Sequence, residues 1–194
     1  RYITVSYQEI VSDVVKQENG HIAQYLGDGV LVYFGYPSAR EDDARRAVRA
    51  ALGIESKIKS LNATLKQRSD VELAVRIGLH TGRVIVGEIG SGPRRENIAM
   101  GRTPNIAARI QALAGHNTTL ISNDTYRLVD GYFVCEPAGE HRLKGISSTI
   151  TVHRVIEESD ARSRIDASRL TGLTAFTGRS REIESLDRTW RSLE

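Results

Sequence analysis

Apolar positions along the chain follow two periods, and each change of period marks a new element. Ile3, Tyr7, Ile10, Val11, Val14 and Val15 recur at helical spacing, and Asn19-Gly20 reads as the stop of that helix. Residues 21–26 and 30–36 alternate or run apolar and are joined by Gly27-Asp28-Gly29. Asp-Gly between two such runs predicts a β-hairpin, because glycine supplies the positive φ that a tight turn needs. Asp28 then sits on an exposed turn. Pro37 breaks the second strand. Glu41-Asp42-Asp43 place negative charge at the start of a long helix, where it complements the helix dipole. Ala44, Ala47, Val48, Ala51, Ile54, Ile58, Leu61 and Leu65 form the apolar stripe of that helix. The acidic triplet is therefore read as helix capping rather than as a metal site.

Further strands are expected over 71–79 and 84–89, linked by His80-Thr81-Gly82. No Ser, Cys or paired carboxylate stands at a spacing that would make His80 part of a triad, so it reads as a turn or packing histidine. Residues 90–97, Gly-Ser-Gly-Pro-Arg-Arg-Glu-Asn, are expected to form a polar loop, either a mobile connection or an arm reaching a partner subunit. Its glycines lack the Lys-Ser/Thr ending of a P-loop. In Thr103-Pro104-Asn105-Ile106-Ala107-Ala108-Arg109, Thr103 suits an N-cap and Pro104 the first helical position. A helix begun there sets Asn105 and Arg109 one turn apart on one face. An amide beside a guanidinium suits a large, polar, anionic substrate; on these residues alone an amphipathic helix with a solvated arginine is the alternative.

A strand over 118–122, a short helix capped by Asn123 and running to 129, and closing strands over 132–136 and 149–156 follow. His141-Arg142-Leu143-Lys144-Gly145 lies between the last two. The expected architecture is α/β in the broad sense, an α+β domain whose mostly antiparallel sheet carries helices on one face. Residues 1–156 form this domain. Residues 157–172 are a charged, aperiodic linker, and 173–194 begin a following module, with a short helix carrying Leu186, Trp190 and Leu193.

Composition narrows the class of function only a little. The 194 residues suit one domain plus an extension, and 40% hydrophobic with 26% charged residues is the balance of a water-soluble globular chain. A net charge of +3, with no basic run interleaved with aromatics, does not point to nucleic acid. The lone Cys135 excludes an internal disulfide and a cysteine-rich zinc site. No apolar stretch approaches membrane-spanning length and no signal peptide opens the chain, so a cytoplasmic setting is expected by default.

Three segments resemble one family in order and spacing. They are Gly20-His21-Ile22-Ala23-Gln24-Tyr25-Leu26-Gly27-Asp28-Gly29-Val30, Arg76-Ile77-Gly78-Leu79-His80-Thr81-Gly82, and the Thr103–Arg109 run. Together they resemble the catalytic domain of class III adenylate/guanylate cyclases, over about residues 1–156. The tail around Phe176-Thr177-Gly178-Arg179 resembles the opening of the AAA-type ATPase module to which some bacterial cyclases are joined.

That resemblance implies a ferredoxin-like cyclase fold and an enzyme that cyclises a nucleoside triphosphate, ATP by default with GTP open, releasing pyrophosphate. It implies two Mg2+ or Mn2+ ions per site and a site shared across a head-to-tail homodimer. By position, Asp28 is a metal ligand, Asn105 orients the ribose, Arg109 stabilises charge at the α-phosphate and Lys144 binds the triphosphate. The positions that read the base are Gln24, where the family has lysine, and Ile98, where it has Asp or Thr. Gln can hydrogen-bond a base edge and Ile cannot. The family's second metal Asp lies on a strand before the first long helix. This chain opens directly into a helical pattern, so that strand and its Asp are expected to be missing, and Asp13 within the helix is no substitute. Three functions compete: a working cyclase, a degenerate domain that dimerises or binds nucleotide as a regulator, and another ferredoxin-like enzyme such as a diguanylate cyclase. The Gly-Gly-Asp/Glu-Glu-Phe signature of the last is not found in the sequence.

Overall fold

A computed structural model describes residues 2–66, 71–89, 96–143, 145–146, 148–161, 166 and 178–192. Helix α1 (Tyr2–Gln17) buries Val11, Val14 and Val15 and stops at Asn19, which takes a left-handed φ of 55°. Strands β1 (His21–Leu26) and β2 (Gly29–Tyr33) form the expected antiparallel hairpin, with Gly27 (φ 66°) and Asp28 in its turn. The register shifts between Ile22 and Gln24, a bulge that leaves Gln24 opposite Leu31.

Helix α2 (Asp43–Leu65) starts where the acidic triplet ends. The acids do more than complement a dipole. Arg46 is 6% exposed; it pairs with Asp42 (3.2 Å) and Asp43, and it donates to the Glu18 carbonyl at 3.3 Å. The first turn of α2 is thereby tied to the end of α1.

Strands β3 (Arg76–Leu79), β6 (Thr118–Ser122), β7 (Phe133–Arg142) and β8 (Thr149–Glu158) form a sheet in the order β3-β6-β8-β7. The β3–β6 pair is parallel and the other pairs are antiparallel. Between β3 and β6 the chain makes a separate hairpin, β4 (Ile85–Ile89) with β5 (Glu96–Met100), and then helix α3 (Arg102–Leu113). Strand β5 replaces part of the loop expected over 90–97 and continues beyond it; residues 90–95 lie outside the described set.

The expectation of helices on one face is corrected by the core. Leu120 and Val152 pack with Ile106 and Ile110 of α3, while Ile121 and Val155 pack with Val48 of α2 and Val129 of α4 (Asn123–Val129). Neighbouring strand residues point to opposite faces, so the sheet is covered on both. Two helix starts are also corrected. The N-cap of α3 is Gly101 (φ 126°), and that of α4 is Ser122, whose side chain accepts from the Thr125 N–H.

Strand β8 ends in a latch. The Ser159 N–H donates to the Tyr132 carbonyl at 2.8 Å, its hydroxyl donates to the Gly131 carbonyl at 2.6 Å, and Arg49 of α2 pairs with Glu158 at 2.6 Å. Most of the expected linker over 157–172 lies outside the described residues. Helix α5 (Ser180–Arg191) exposes Ile183, Leu186 and Trp190; Leu193 lies outside the described set. Among the described residues no helix is long and apolar enough to cross a membrane.

Candidate active site

Helix α3 sits unusually close to β3 because Gly78 has no side chain. A Cβ there would lie 2.2 Å from the Gln111 nitrogen and 2.5 Å from the Ala107 carbonyl oxygen, both backbone atoms. With Ile106 and Ile110 turned into the core, Asn105 and Arg109 flank the buried stripe of the same helix. Asn105 is exposed, and its amide donates to the Gly101 carbonyl at 3.3 Å. Arg109 is half-buried. A Cβ on Gly145 would lie 3.5 and 3.6 Å from its two terminal nitrogens, so the guanidinium lies against the loop after β7. Gly145 has φ 75°, which is a second reason for glycine there. Leu143 and Ile146 anchor that loop in the same cluster as Ile106 and Ile110. Lys144 falls outside the described residues. Among those described, no carboxylate pairs with Arg109, which leaves a half-buried cation available to an anion.

Asp28 occupies the tip of the β1–β2 hairpin and is exposed. Tyr7 of α1 lies near enough to feel its charge. Burial first, then the Asp28 carboxylate, then Tyr25, push the Tyr7 phenol up from its ordinary value. The hairpin packs on α1 and meets β5, whereas α3 packs on β3, β6 and β5. The strands that carry Gln24 and Ile98 are thus neighbours, and Ile98 pairs with Gly87 across the β4–β5 hairpin. Asp28 and the Asn105/Arg109 pair stand on different elements, the hairpin and α3, which both meet β5.

As a metal site, Asp28 offers one open carboxylate. Magnesium is commonly held by one or two carboxylates plus substrate phosphates, and Asp28 fits that mode for a single ion. Among the described residues no group of three His, Cys, Asp or Glu side chains could hold a metal ion, so they form no two-ion cage.

His80 is not at the surface of this site. Its Nδ1 lies 2.8 Å from the Ser122 hydroxyl and 4.0 Å from Asp124, and burial lowers its pKa below the ordinary 6.5 while Asp124 opposes that weakly. The packing reading of His80 therefore agrees with its place. Thr103 does not cap α3; its hydroxyl donates to the Arg83 carbonyl at 2.8 Å. The sequence reading overlooked Gly78 and Gly145. A glycine one residue before a helix-facing strand end, and another directly after Lys144 in the sequence, were the signals of close approach.

The adenylate and guanylate cyclase catalytic domain model matches residues 6–157. Adenylate cyclase 1 of Rhizobium meliloti is 30% identical over 152 residues, 77% of this chain and 23% of that protein, so the chain spans about a quarter of that relative. The adenylyl cyclase CyaB from P. aeruginosa has the same fold at a TM-score of 0.76 and 27% identity, covering 81% of this chain and 82% of that one. The guanylate cyclase domain of RhGC from Catenaria anguillulae, solved in complex with GTP, superposes at a TM-score of 0.71 and 27% identity, over 79% of this chain and 81% of that one. Residues 6–157 therefore make this chain a member of the adenylate and guanylate cyclase catalytic domain family.

Proposed function

We propose that the domain converts a nucleoside triphosphate, ATP by default, to its 3′,5′-cyclic nucleotide. The 3′-oxygen of the ribose forms a bond to the α-phosphorus, its proton is lost, and the bond to the β-phosphate oxygen breaks with pyrophosphate taking the electron pair. One observation carries this reading. Arg109 is a half-buried guanidinium with no carboxylate partner among the described residues, one turn from an exposed amide. Such a group is poised for negative charge that grows on the α-phosphate in the transition state. Asn105 holds the ribose, Lys144 contributes to the triphosphate site, and Gln24 and Ile98 stand at the base-reading positions. A divalent ion, Mg2+ or Mn2+, held at Asp28 would neutralise phosphate charge.

The site is completed by a second copy arranged head to tail. The support is that Asp28, at an exposed hairpin tip, and Arg109, half-buried on α3, both remain open to a second copy. ATP is the default because the Rhizobium relative is named an adenylate cyclase, while the GTP-bound neighbour keeps GTP open. In the same reading residues 1–156 are the catalytic unit of a cytoplasmic protein, 157–172 a linker, and 173–194 the start of an ATPase-type module. A regulatory domain without turnover is the second reading, favoured because the described residues bring one carboxylate, Asp28, to the candidate metal site.

Mixing separates the two. Asp28→Ala and Arg109→Ala variants should each lose turnover by about a hundredfold or more, the scale of removing a transition-state donor. Together they should regain part of it through one intact site per mixed dimer. Mixed dimers that form and stay inactive would sink the shared site, and an Arg109→Ala variant as active as the parent would sink the cyclase reading.

A further inference from the structure

We infer that His80 is a positioning residue for the catalytic face of α3, acting as a wedge between the end of β6 and the first turn of that helix. Its ring ties the loop over residues 80–83 to the end of β6. On one side, Nδ1 is hydrogen-bonded to Ser122, the last residue of β6 and the cap of α4, at 2.8 Å. Ser122 is itself held by Thr125, whose N–H donates to it at 3.3 Å and whose hydroxyl lies 3.2 Å away. Thr125 also meets the Thr81 hydroxyl at 3.0 Å. Ser122 and Thr125 are fully buried. On the other side, Nε2 looks toward Gly82. A Cβ on that glycine would lie 3.3 Å from Nε2 and 2.6 Å from the Thr103 hydroxyl oxygen. Residues 80–83 therefore fill the space between the buried Ser/Thr pair and α3, and Thr103 locks onto them through the Arg83 carbonyl at 2.8 Å.

Asn105 lies two residues beyond Thr103, and Arg109 one turn further. A helix seated at its start by side-chain packing delivers both groups at a fixed angle. Loss of the wedge lets the first turn of α3 shift while Ile106 and Ile110 stay buried. Positioning errors of about 1 Å cost on the order of a hundredfold in rate, so the effect falls on kcat rather than on substrate affinity. Among the described residues, Asp124 is the charged group that reaches the ring, and it is largely exposed. The ring acts in its neutral form, in keeping with its burial.

His80 gains this role only if Asn105 and Arg109 act as proposed above, so the experiment starts with the parent domain and Arg109→Ala, assayed for cyclic nucleotide from ATP and GTP with Mg2+ or Mn2+. Turnover that does not depend on Arg109 ends the cyclase reading itself. With that dependence established, His80→Ala, His80→Asn and Thr103→Val are compared by kcat, KM and thermal midpoint. The expected result is a kcat lower by about tenfold or more in His80→Ala with KM within about threefold. Partial rescue is expected in His80→Asn, whose amide keeps a group at the Nδ1 position. His80→Ala combined with Thr103→Val should lose no more than the worse single variant, because both release the same seat. Hydrogen exchange at the amides of residues 102–107 should quicken in each variant while α2 is unchanged, a readout that needs no turnover. Parent-like kcat in His80→Asn and Thr103→Val together with unchanged exchange in α3 overturns the inference, even if His80→Ala fails to fold. So do losses that multiply in the double variant.

Discussion

Two partly buried histidines give the domain a residue-scale response to acid. His80 and His153 both have pKa values below the ordinary 6.5, burial being the larger cause in each; nearby Asp124 and Asp130 push weakly the other way. His153 stacks on Tyr126 with ring centres 4.0 Å apart and reaches Asn123 at 3.2 Å. A histidine whose folded value is depressed takes up its proton more readily when unfolded. The stability it contributes is intact above about pH 6.5 and is lost as pH falls through that value toward the folded one. The thermal midpoint should therefore drop between pH 7.5 and 5.5, and drop less in His80→Asn. Burial likewise pushes the Cys135 thiol up to about 11, so the residue should resist alkylation at neutral pH in the folded protein and react on unfolding. In the proposed site, Gln24 and Ile98 at the base-reading positions supply at most one polar side chain. A site built on hydrogen bonds rejects a wrong partner strongly, but an apolar one does so weakly. ATP and GTP should compete within about two orders of magnitude. A larger preference in competition binding would mean that other groups read the base.

Elements were legible where local chemistry decides them and obscure where contacts across the fold do. The β1–β2 hairpin and the stripe of α2 follow directly from Gly27-Asp28-Gly29 and from apolar spacing. The start of α3 did not, because Gly101 adopts the turn and Thr103 is drawn to the Arg83 carbonyl, a tertiary partner that a capping rule cannot see. Strand β7 runs to Arg142 although its second half is polar, because pairing of Glu140, His141 and Arg142 with β8 sustains it past the irregularity at Pro137 to Glu140. Helical spacing put Asn105 and Arg109 on one face and the family resemblance made them candidates, whereas the glycines beside them gave no such signal, since an absent side chain leaves no periodicity. Gly78 makes this testable. A methyl group there meets backbone on α3, which cannot swing aside. Gly78→Ala should cost about 1–3 kcal/mol by overpacking. If Asn105 and Arg109 act as proposed, it should also lower kcat by more than about tenfold by displacing the helix face that carries them. Denaturant titration and initial rates would check the two effects separately.

Across the whole molecule, the two sheet faces are served by different helices. The α3 face carries Asn105 and Arg109, while the α2 and α4 face supports β8 and ties back to α1 through Arg46. Removing one member of a buried ion pair is costly, and Asp42, which stays partly in water, softens it here. Arg46→Ala should lose roughly 3 kcal/mol, measured by denaturant unfolding. A loss below 1 kcal/mol would mean that α1 holds its place without this tie. Because Arg46 lies away from α3, activity per folded molecule should be nearly unchanged.

The latch after β8 has a mechanical meaning. Strand β8 lies between β6 and β7, with the Ser159 bonds to the Gly131 and Tyr132 carbonyls and the Arg49–Glu158 pair at its end. Tension applied to the chain beyond Ala161 is therefore met in shear by bonds on two flanks, rather than by bonds that open one at a time at an edge. A pull or twist from that side moves α2, the α4–β7 turn and the central strands as one body.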